Sequence, residues 1–375
     1  MAAEVQAFVA DFAIPPGETL EETLESLGLS QSDLAERTGR PKKTINEIVR
    51  GKAAITAETA LQFERVLGVP ADFWLSLEAK YRVNLARLEE THRLDQQLQW
   101  LDEIPIQALI RAGWVQAKST AREQLSAALS FFGVASVQSW RNIWGDVENA
   151  VAFRHSPSWA SDFGTVVAWL RRGELEARSV ECNAFDAGAF RETLKVARSW
   201  TRDDPNEFRA KLLRECSKAG VVVLFVPELP AMRVCGVTRW LGPEKALIQV
   251  TLRYRTEDHL WFTLFHEAGH ILLHQKRAVF VEEAAQTRNA ISPSARSVEE
   301  EQANKFARDL LIPPNAYSEL VRSRDFSQAN LTRFATGIGI TPGIVVARLQ
   351  HDGILVWQTS LNRLKRRYRW AAQQK

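Results

Sequence analysis

Two histidines and a glutamate have the residue types and the spacing of a zinc site. The segment HEAGH runs from His266 to His270, and a helix of 3.6 residues per turn places both imidazoles on one face, where they can bind a single ion. Zinc held by three protein ligands keeps its fourth position for water and lowers the pKa of that water to about 7. Glu267 lies beside that position, where a general base is needed. The motif predicts a Zn2+ hydrolase with catalytic Glu267.

A third ligand is expected from the helix that follows. In SVEEEQANKFARDLLIPP, apolar residues recur at i, i+3, i+4, i+7 and i+8, which predicts a buried stripe. Extending this stripe backwards puts Glu299 and Glu300 at its two borders and Glu301 on the solvated face. Periodicity does not separate Glu299 from Glu300. Asn304 lies one turn after Glu300 and could orient a ligand, which favours Glu300.

Other polar side chains near the motif have weaker assignments. His274 lies four residues after His270, and we interpret it as a cation near a helix C-terminus, favoured by the dipole. The residue that would stabilise the oxyanion is not assigned; Tyr254, His259 and Tyr317 are candidates. From the residues alone, the alternative to a metal site is a pair of hydrogen-bonded histidines on a buried helix.

The elements that must position the motif are a small sheet and two helices. From Gly220, the runs VVVLFV, RVCGVT and ALIQVTL predict strands. They lead directly into the helix LWFTLFHEAGHILLH. Gly269 in that helix costs about 1 kcal/mol relative to Ala, which indicates that another element approaches closely. Pro313 and Pro314 end the next helix.

A second group of residues has the types that bind DNA. Ser30, followed three residues later by Asp33, predicts a helix that runs through Thr38, and Gly39 permits a turn into a second helix over residues 41–50. Cations on that helix suit phosphates, and Asn and Arg suit base edges. A charged helix in a protein-binding bundle is the alternative. The candidate DNA contacts on its outer face are Lys42, Lys43, Thr44, Asn46, Glu47 and Arg50.

The C-terminal motifs together resemble the ImmA/IrrE metallo-endopeptidases. The matching segments are VVVLFVPELP, VTRWL, DHLWFTLFHEAGHILLH and EEQANKFARDLLIPP. The resemblance implies that Glu300, before the element Gln302-Ala303-Asn304, is the third zinc ligand, an arrangement similar to the gluzincins. It further implies a cytoplasmic protease with a protein substrate, either a helix-turn-helix repressor or the chain itself.

The N-terminal text resembles the HigA-type antitoxin branch of the Cro/CI-like (XRE) helix-turn-helix family. The resemblance covers residues 15 to about 85, and ITAETALQFERVLG and FWLSLEAKY make it similar to that branch. It implies a homodimer on a double-stranded DNA operator, with a toxin as a further partner.

Composition limits the class of protein. The chain has 375 residues, 45% of them hydrophobic and 25% charged, with a net charge of +3. No stretch reaches 18 consecutive apolar residues and the first residues lack a basic segment, so we expect a cytoplasmic protein without a membrane partner. The three cysteines, Cys182, Cys216 and Cys235, are far apart, which excludes a disulfide framework and a Cys-type zinc site.

We therefore expect an α+β chain of four parts. These are an all-α helix-turn-helix domain (15–85), a helical middle region (90–205), a small-sheet zincin-like metallopeptidase domain (206–350) and a basic, solvated C-terminal tail (351–375). The predicted function is a DNA-binding zinc metallo-endopeptidase that cleaves a helix-turn-helix repressor or partner protein to control gene expression. The alternative is a HigA-like transcriptional regulator or antitoxin whose zincin domain senses or braces.

Overall fold

The computed structural model describes residues 12–152, 163–274, 280–283 and 298–370. The chain divides into two units, Met1–Gln99 with Thr120–Leu125, and Trp100–Ser119 with Ser126–Lys375. The finer boundaries predicted from the sequence stay predictions. In the ranges described, no helix combines the length and the apolar character that a membrane-spanning segment requires.

The first unit is a bundle of helices that the predicted caps delimit. Ser30 opens the second helix by accepting from the Asp33 N–H at 3.1 Å, while the Asp33 carboxylate accepts from the Ser30 N–H at 2.8 Å. Gly39, at φ +65°, ends that helix in the left-handed region, where a residue without Cβ is favoured. The helices are α1 (Pro16–Leu27), α2 (Gln31–Thr38), α3 (Lys42–Val49), α4 (Ala57–Leu67) and α5 (Ala71–Asp95).

Helices occupy the chain between this bundle and the sheet, as predicted. They are α6 (Ile106–Arg111), α7 (Ala121–Phe132), α8 (Val137–Ala152), α9 (Phe163–Arg178), α10 (Ala187–Ala197) and α11 (Pro205–Lys218), with short 3-10 helices at Leu98–Glu103 and Arg198–Arg202.

The sheet has four strands in the order β1-β3-β2-β4, so the fold is α+β, as expected. The first two strands in that order pair in parallel, and the other pairs are antiparallel. Three strands match the predicted runs, whereas the fourth was not predicted. Their bounds are β1 (Val221–Phe225), β2 (Val234–Gly242), β3 (Lys245–Val250) and β4 (Phe280–Glu283).

Helices lie on both faces of this sheet. On one face Ile248 and Val250 pack in a core with Phe265 of α12 (Glu257–Leu273). On the other face the fully buried Gln249 donates through Nε2 to the Trp169 carbonyl of α9 at 2.7 Å. The middle region, to which the sequence assigned no function, thus braces the back of the sheet. The remaining helices are α13 (Val298–Leu311), α14 (Pro314–Ser323), α15 (Gln328–Ile338) and α16 (Pro342–His351).

The basic C-terminal segment, which we expected to be a solvated tail, is only partly solvated: Arg363, Arg367 and Arg369 are exposed, whereas Lys365 and Arg366 pack on the protein. Residues 360–370, the C-terminal strap, begin with a 3-10 helix at Ser360–Leu364 and return to the start of α12. There the Lys365 ammonium lies 2.8 Å from the Asp258 carboxylate, and the Arg366 N–H donates to the Glu257 carboxylate at 3.1 Å. Two buried carboxylates attract the strap because leaving them unpaired would be costly.

Candidate metal centre and nucleic-acid interface

Helix α12 buries the HEAGH motif against the sheet. His266 and His270 are each 2% exposed and Glu267 is fully buried. The Thr238 hydroxyl of β2 donates to the Glu267 carbonyl at 2.9 Å, which ties this turn of the helix to the strand. The two imidazoles, one turn apart, face each other with their Nε2 atoms 3.0 Å apart.

Glu300, from α13, completes a group of three. Its carboxylate oxygens lie 3.3 Å from His266 Nε2 and 3.7 Å from His270 Nε2. Ligands bound tetrahedrally to zinc at 2.0–2.2 Å are about 3.4 Å apart, so the three side chains fit the ion. Within the described ranges, this is the one group of three His, Cys, Asp or Glu residues close enough to hold a metal.

The neighbouring glutamates of α13 lie elsewhere. Glu299 is exposed, and Glu301 pairs with Arg308 at 2.6 Å. Of the two glutamates that periodicity left open, Glu300 lies beside the histidines and Glu299 does not, and its role as the third ligand stays a prediction.

The electrostatics of the group suit a cation. Burial lowers the pKa of His270 to about 4, so its imidazole is neutral near pH 7, the form that binds metal. Burial alone would raise the pKa of the Glu300 carboxyl, but the adjacent imidazoles of His266 and His270 hold it well below its usual range. The group thus offers a neutral imidazole at His270 and a carboxylate at Glu300, with the His266 imidazole beside them.

Two close approaches of the backbone shape the site. A Cβ atom on residue 236 would lie 2.5 Å from Thr263 Cγ2 and 3.0 Å from Glu267 Cγ, so only glycine leaves room for the Glu267 side chain there. A Cβ atom on residue 269 would lie 3.2 Å from the Ala303 Cα, which confirms the close approach predicted for Gly269. Gly236 was missed, although a glycine inside a strand run is itself a signal of close contact.

The histidines have polar neighbours on α13. The Asn304 amide oxygen lies 3.0 Å from His266 Nδ1, so Asn304 contacts one of the proposed ligands, as expected, and that ligand is His266. His274, expected to be a cation near a helix end, also contacts two side chains: its Nδ1 lies 2.9 Å from His270 Nδ1 and its Nε2 lies 3.1 Å from the Gln302 amide oxygen. Gln302 was not singled out as a polar contact of the site.

The three candidates for an oxyanion-stabilising residue have other surroundings. Tyr254 stacks on His259 at 4.1 Å between ring centroids. His259 precedes His266 by seven residues, about 10 Å along the helix axis, which is too far to reach the same carbonyl. The Tyr317 hydroxyl donates to Asp352 at 2.6 Å.

The predicted DNA-reading residues lie on α3 of the first unit. Ile45 and Ile48 lie on the buried face of this helix, so its opposite face points to solvent. Lys42, Lys43 and Arg50 are exposed, whereas the side chains nearer the bundle, Thr44, Asn46 and Glu47, are half-buried. Lys43 lies 3.8 Å from Glu47.

Gln31 joins α2 to α3 and was not predicted. Its amide oxygen lies 3.5 Å from Asn46 Nδ2, and its amide nitrogen donates to Glu21 at 3.0 Å. Spacing along α2 contains no information about contacts with α3, so no pattern in the sequence pointed to this residue.

Comparison with known proteins finds one family match in each unit. Residues 20–74 match the helix-turn-helix family model, and residues 240–350 match the model of the IrrE N-terminal-like domain. Virulence-associated protein I of Dichelobacter nodosus is 42% identical over 79 residues, which are 21% of this chain and 73% of that protein. The chain belongs to the XRE-type helix-turn-helix family and carries an IrrE-like domain.

Further relatives match the helix-turn-helix domain. The HTH-type transcriptional regulator YddM of Escherichia coli K12 is 32% identical over 76 residues, 20% of this chain and 79% of that protein. Two solved structures are similar, an addiction module antidote protein of the HigA family from Coxiella burnetii (32% identity, 22% of this chain and 92% of that chain, TM-score 0.21) and Pseudomonas aeruginosa antitoxin HigA with the higBA promoter (29% identity, 23% and 94%, TM-score 0.21).

The IrrE-like match contains the metal group but not all of its supports. It begins at Trp240 in β2 and ends at Gln350 in α16. Helix α9 and strand β1 precede it, and the C-terminal strap follows it. The helix-turn-helix match includes the whole of α3.

Proposed function

We propose that this chain is a DNA-binding zinc metallo-endopeptidase of the cytoplasm that cleaves a helix-turn-helix repressor or partner protein to control gene expression. The observation that carries the proposal is that His266 Nε2, His270 Nε2 and a Glu300 oxygen lie close together. Glu267 is buried on α12, the helix that also carries the two histidines. The IrrE-like match, which includes all four residues, supports it.

The residues of the site have separate roles in this proposal. His266, His270 and Glu300 hold the ion, and zinc bound there supplies a Lewis acid that polarises the scissile carbonyl and makes water more acidic. The Glu267 carboxylate accepts a proton from the attacking water and returns it to the leaving nitrogen. Thr238 and Gly236 hold the turn of α12 that carries Glu267 at the strand.

In this proposal the first unit directs the protein to a DNA site. Exposed Lys42, Lys43 and Arg50 of α3 would contact phosphates and base edges, with the half-buried Thr44, Asn46 and Glu47 behind them. The helix-turn-helix match over residues 20–74, which includes α3, supports double-stranded DNA as the partner of this unit. We further propose a homodimer on an operator, with a toxin as an additional partner.

Glu267→Gln tests the proteolytic part. An amide of nearly the same shape removes the base but leaves the three zinc ligands in place. The variant should keep its zinc and its operator binding while cleavage of helix-turn-helix proteins, including the chain's own first unit, falls to background on immunoblots. Glu301→Gln, which changes an exposed carboxylate of α13, is the matched control and should cleave normally.

The alternative function gives the opposite result. If the IrrE-like domain has only a sensing or structural role, wild type and Glu267→Gln give the same protein fragments. Both then regulate the target genes equally. Metal-stripping His270→Ala would then still disturb regulation. Identical fragment patterns would end the protease proposal.

A further inference from the structure

A chain of three side chains runs from α13 to the buried imidazole of His270. His274, the residue directly after α12, has an extended backbone, and its N–H donates to the His270 carbonyl at 3.2 Å. Its Nδ1 lies 2.9 Å from His270 Nδ1 and its Nε2 lies 3.1 Å from the Gln302 amide oxygen. Backbone and side chain of His274 therefore both contact His270.

The acceptor at one end of this chain favours one arrangement of its protons. An amide oxygen can only accept, so the contact with Gln302 requires a proton on His274 Nε2. In the tautomer of His274 that has its single N–H there, Nδ1 is an acceptor for the His270 Nδ1–H. His270 Nε2 then carries a lone pair, directed at His266 Nε2 3.0 Å away.

His266 reaches the same state by a shorter route. Its Nδ1–H donates directly to the Asn304 amide oxygen at 3.0 Å, so its Nε2 also carries a lone pair. Two such lone pairs repel each other at this distance, so the state in which neither Nε2 carries a proton is the one that a bound cation would stabilise. The orienting contacts therefore prepare the pair for a metal ion.

Both orienting amides come from α13, the helix that also carries Glu300. Gln302 and Asn304 are two residues apart, and the close packing of Gly269 on Ala303 sets the distance between α13 and α12 at this level. Asn304 faces the nearer histidine and can bond to it directly. His270 lies one turn further along α12, and His274 spans the remaining gap.

We infer that His274 and Gln302 are positioning residues for His270, fixing the tautomer that presents Nε2 to zinc. This inference rests on the proposed zinc site. It adds the contacts from Gln302 through His274 to His270, which neither the HEAGH spacing nor the role of Glu300 predicts. Neither residue touches the ion; they act through His270.

Zinc affinity tests the inference without reference to proteolysis. His274→Phe keeps a ring of similar size but cannot hydrogen-bond, and Gln302→Leu removes the acceptor from an exposed position. Each should weaken zinc binding about 10- to 100-fold, the usual effect of losing a group that orients a ligand. Gln302→Glu retains an acceptor and should bind zinc at least as tightly as wild type. Competition with a chromophoric chelator measures these affinities.

A matched control and a second readout separate positioning from misfolding. His259→Phe changes an exposed histidine within α12 and should leave zinc affinity unaltered. Cobalt substituted for zinc should give a tetrahedral visible spectrum in wild type and Gln302→Glu, but a weaker, shifted one in His274→Phe and Gln302→Leu.

The outcomes distinguish the two proposals. Wild-type protein that binds no stoichiometric zinc overturns the proposed function. Zinc-binding wild type, with His274→Phe and Gln302→Leu within twofold of its affinity, overturns the positioning role alone. Rescue by Gln302→Glu together with failure of Gln302→Leu supports it, even if His274→Phe does not fold.

Discussion

Gly236 decides how much room the Glu267 side chain has. In Gly236→Ala, the new Cβ would lie 2.5 Å from Thr263 and 3.0 Å from Glu267, so the carboxylate must move. A displacement of about 1 Å can cost about 100-fold in rate. We expect kcat to fall by about that factor while zinc content, measured by atomic absorption, stays at the wild-type level.

Gly242→Ala is the control for this prediction. Gly242 ends the same strand, β2, and a Cβ there would meet nothing within 4 Å. It should cleave as wild type does. Equal loss of activity in both variants would mean that the strand, rather than the space beside Glu267, determines the effect.

The side chains of the metal group were predictable to different degrees. Helical spacing brings His266 and His270 together in any α-helix, so the sequence was sufficient for that pair. Glu300 needs a second helix at a set distance and rotation, which periodicity narrowed to two residues. The roles of His274, Gln302 and Asn304 depend on which hydrogen bonds cross between α12 and α13, and spacing along one helix contains no such information.

At the level of elements, α3 provides the prediction for DNA binding. Asn46→Ala should relax sequence preference by about 1–3 kcal/mol at one base pair, because an amide distinguishes base edges. Lys43→Ala should weaken binding to all sequences and reduce the slope of log affinity against log salt by about one, because Lys43 is exposed for a phosphate. Footprinting and salt titrations on the DNA upstream of the gene measure both effects.

Lys80→Ala is the control for the loss of one positive charge in Lys43→Ala. It removes an exposed lysine of α5, in the same unit but outside α3. The salt slope should remain at the wild-type value. Operator binding unchanged in both α3 variants would remove α3 from the interface.

Most helices and strands could be predicted from the sequence, whereas the way they pack together could not. Caps such as Ser30 and Gly39 set helix ends through local hydrogen bonds, which a short window of sequence contains. The back layer formed by α9 could not be predicted, since it depends on Gln249 meeting a carbonyl 80 residues away. The strap was predicted wrongly for the same reason. Its contacts, Lys365 with Asp258 and Arg366 with Glu257, join residues that are more than 100 positions apart.

For the whole molecule, removal of the metal should affect one unit only. His266, His270 and Glu300 all lie in the second unit, where the ion would join α12 to α13. Zinc at 1,000 times its dissociation constant stabilises the folded state by about 4 kcal/mol. In calorimetry of the full chain, a chelator should lower one transition by on the order of 10 °C and leave the other in place.

A metal-free variant identifies the transition concerned. In His270→Ala, the lower transition should already be present and should no longer respond to the chelator. If both transitions of the wild type fall together when the metal is removed, the units are thermodynamically coupled and the prediction is wrong.

The C-terminal strap has a consequence for the order of events during translation. Asp258 is separated from Lys365 by 107 residues, and Arg366 donates to a carbonyl 165 residues earlier, at Thr201. At about 5–20 residues per second, a ribosome needs roughly 5 to 20 s to synthesise the strap after the start of α12. The DNA-binding unit is complete long before that. A nascent chain can therefore hold a folded helix α3 while α12, which carries Glu267, still lacks its contacts with Lys365 and Arg366. If the chain is the protease that we propose, it would become active only after synthesis has passed the strap.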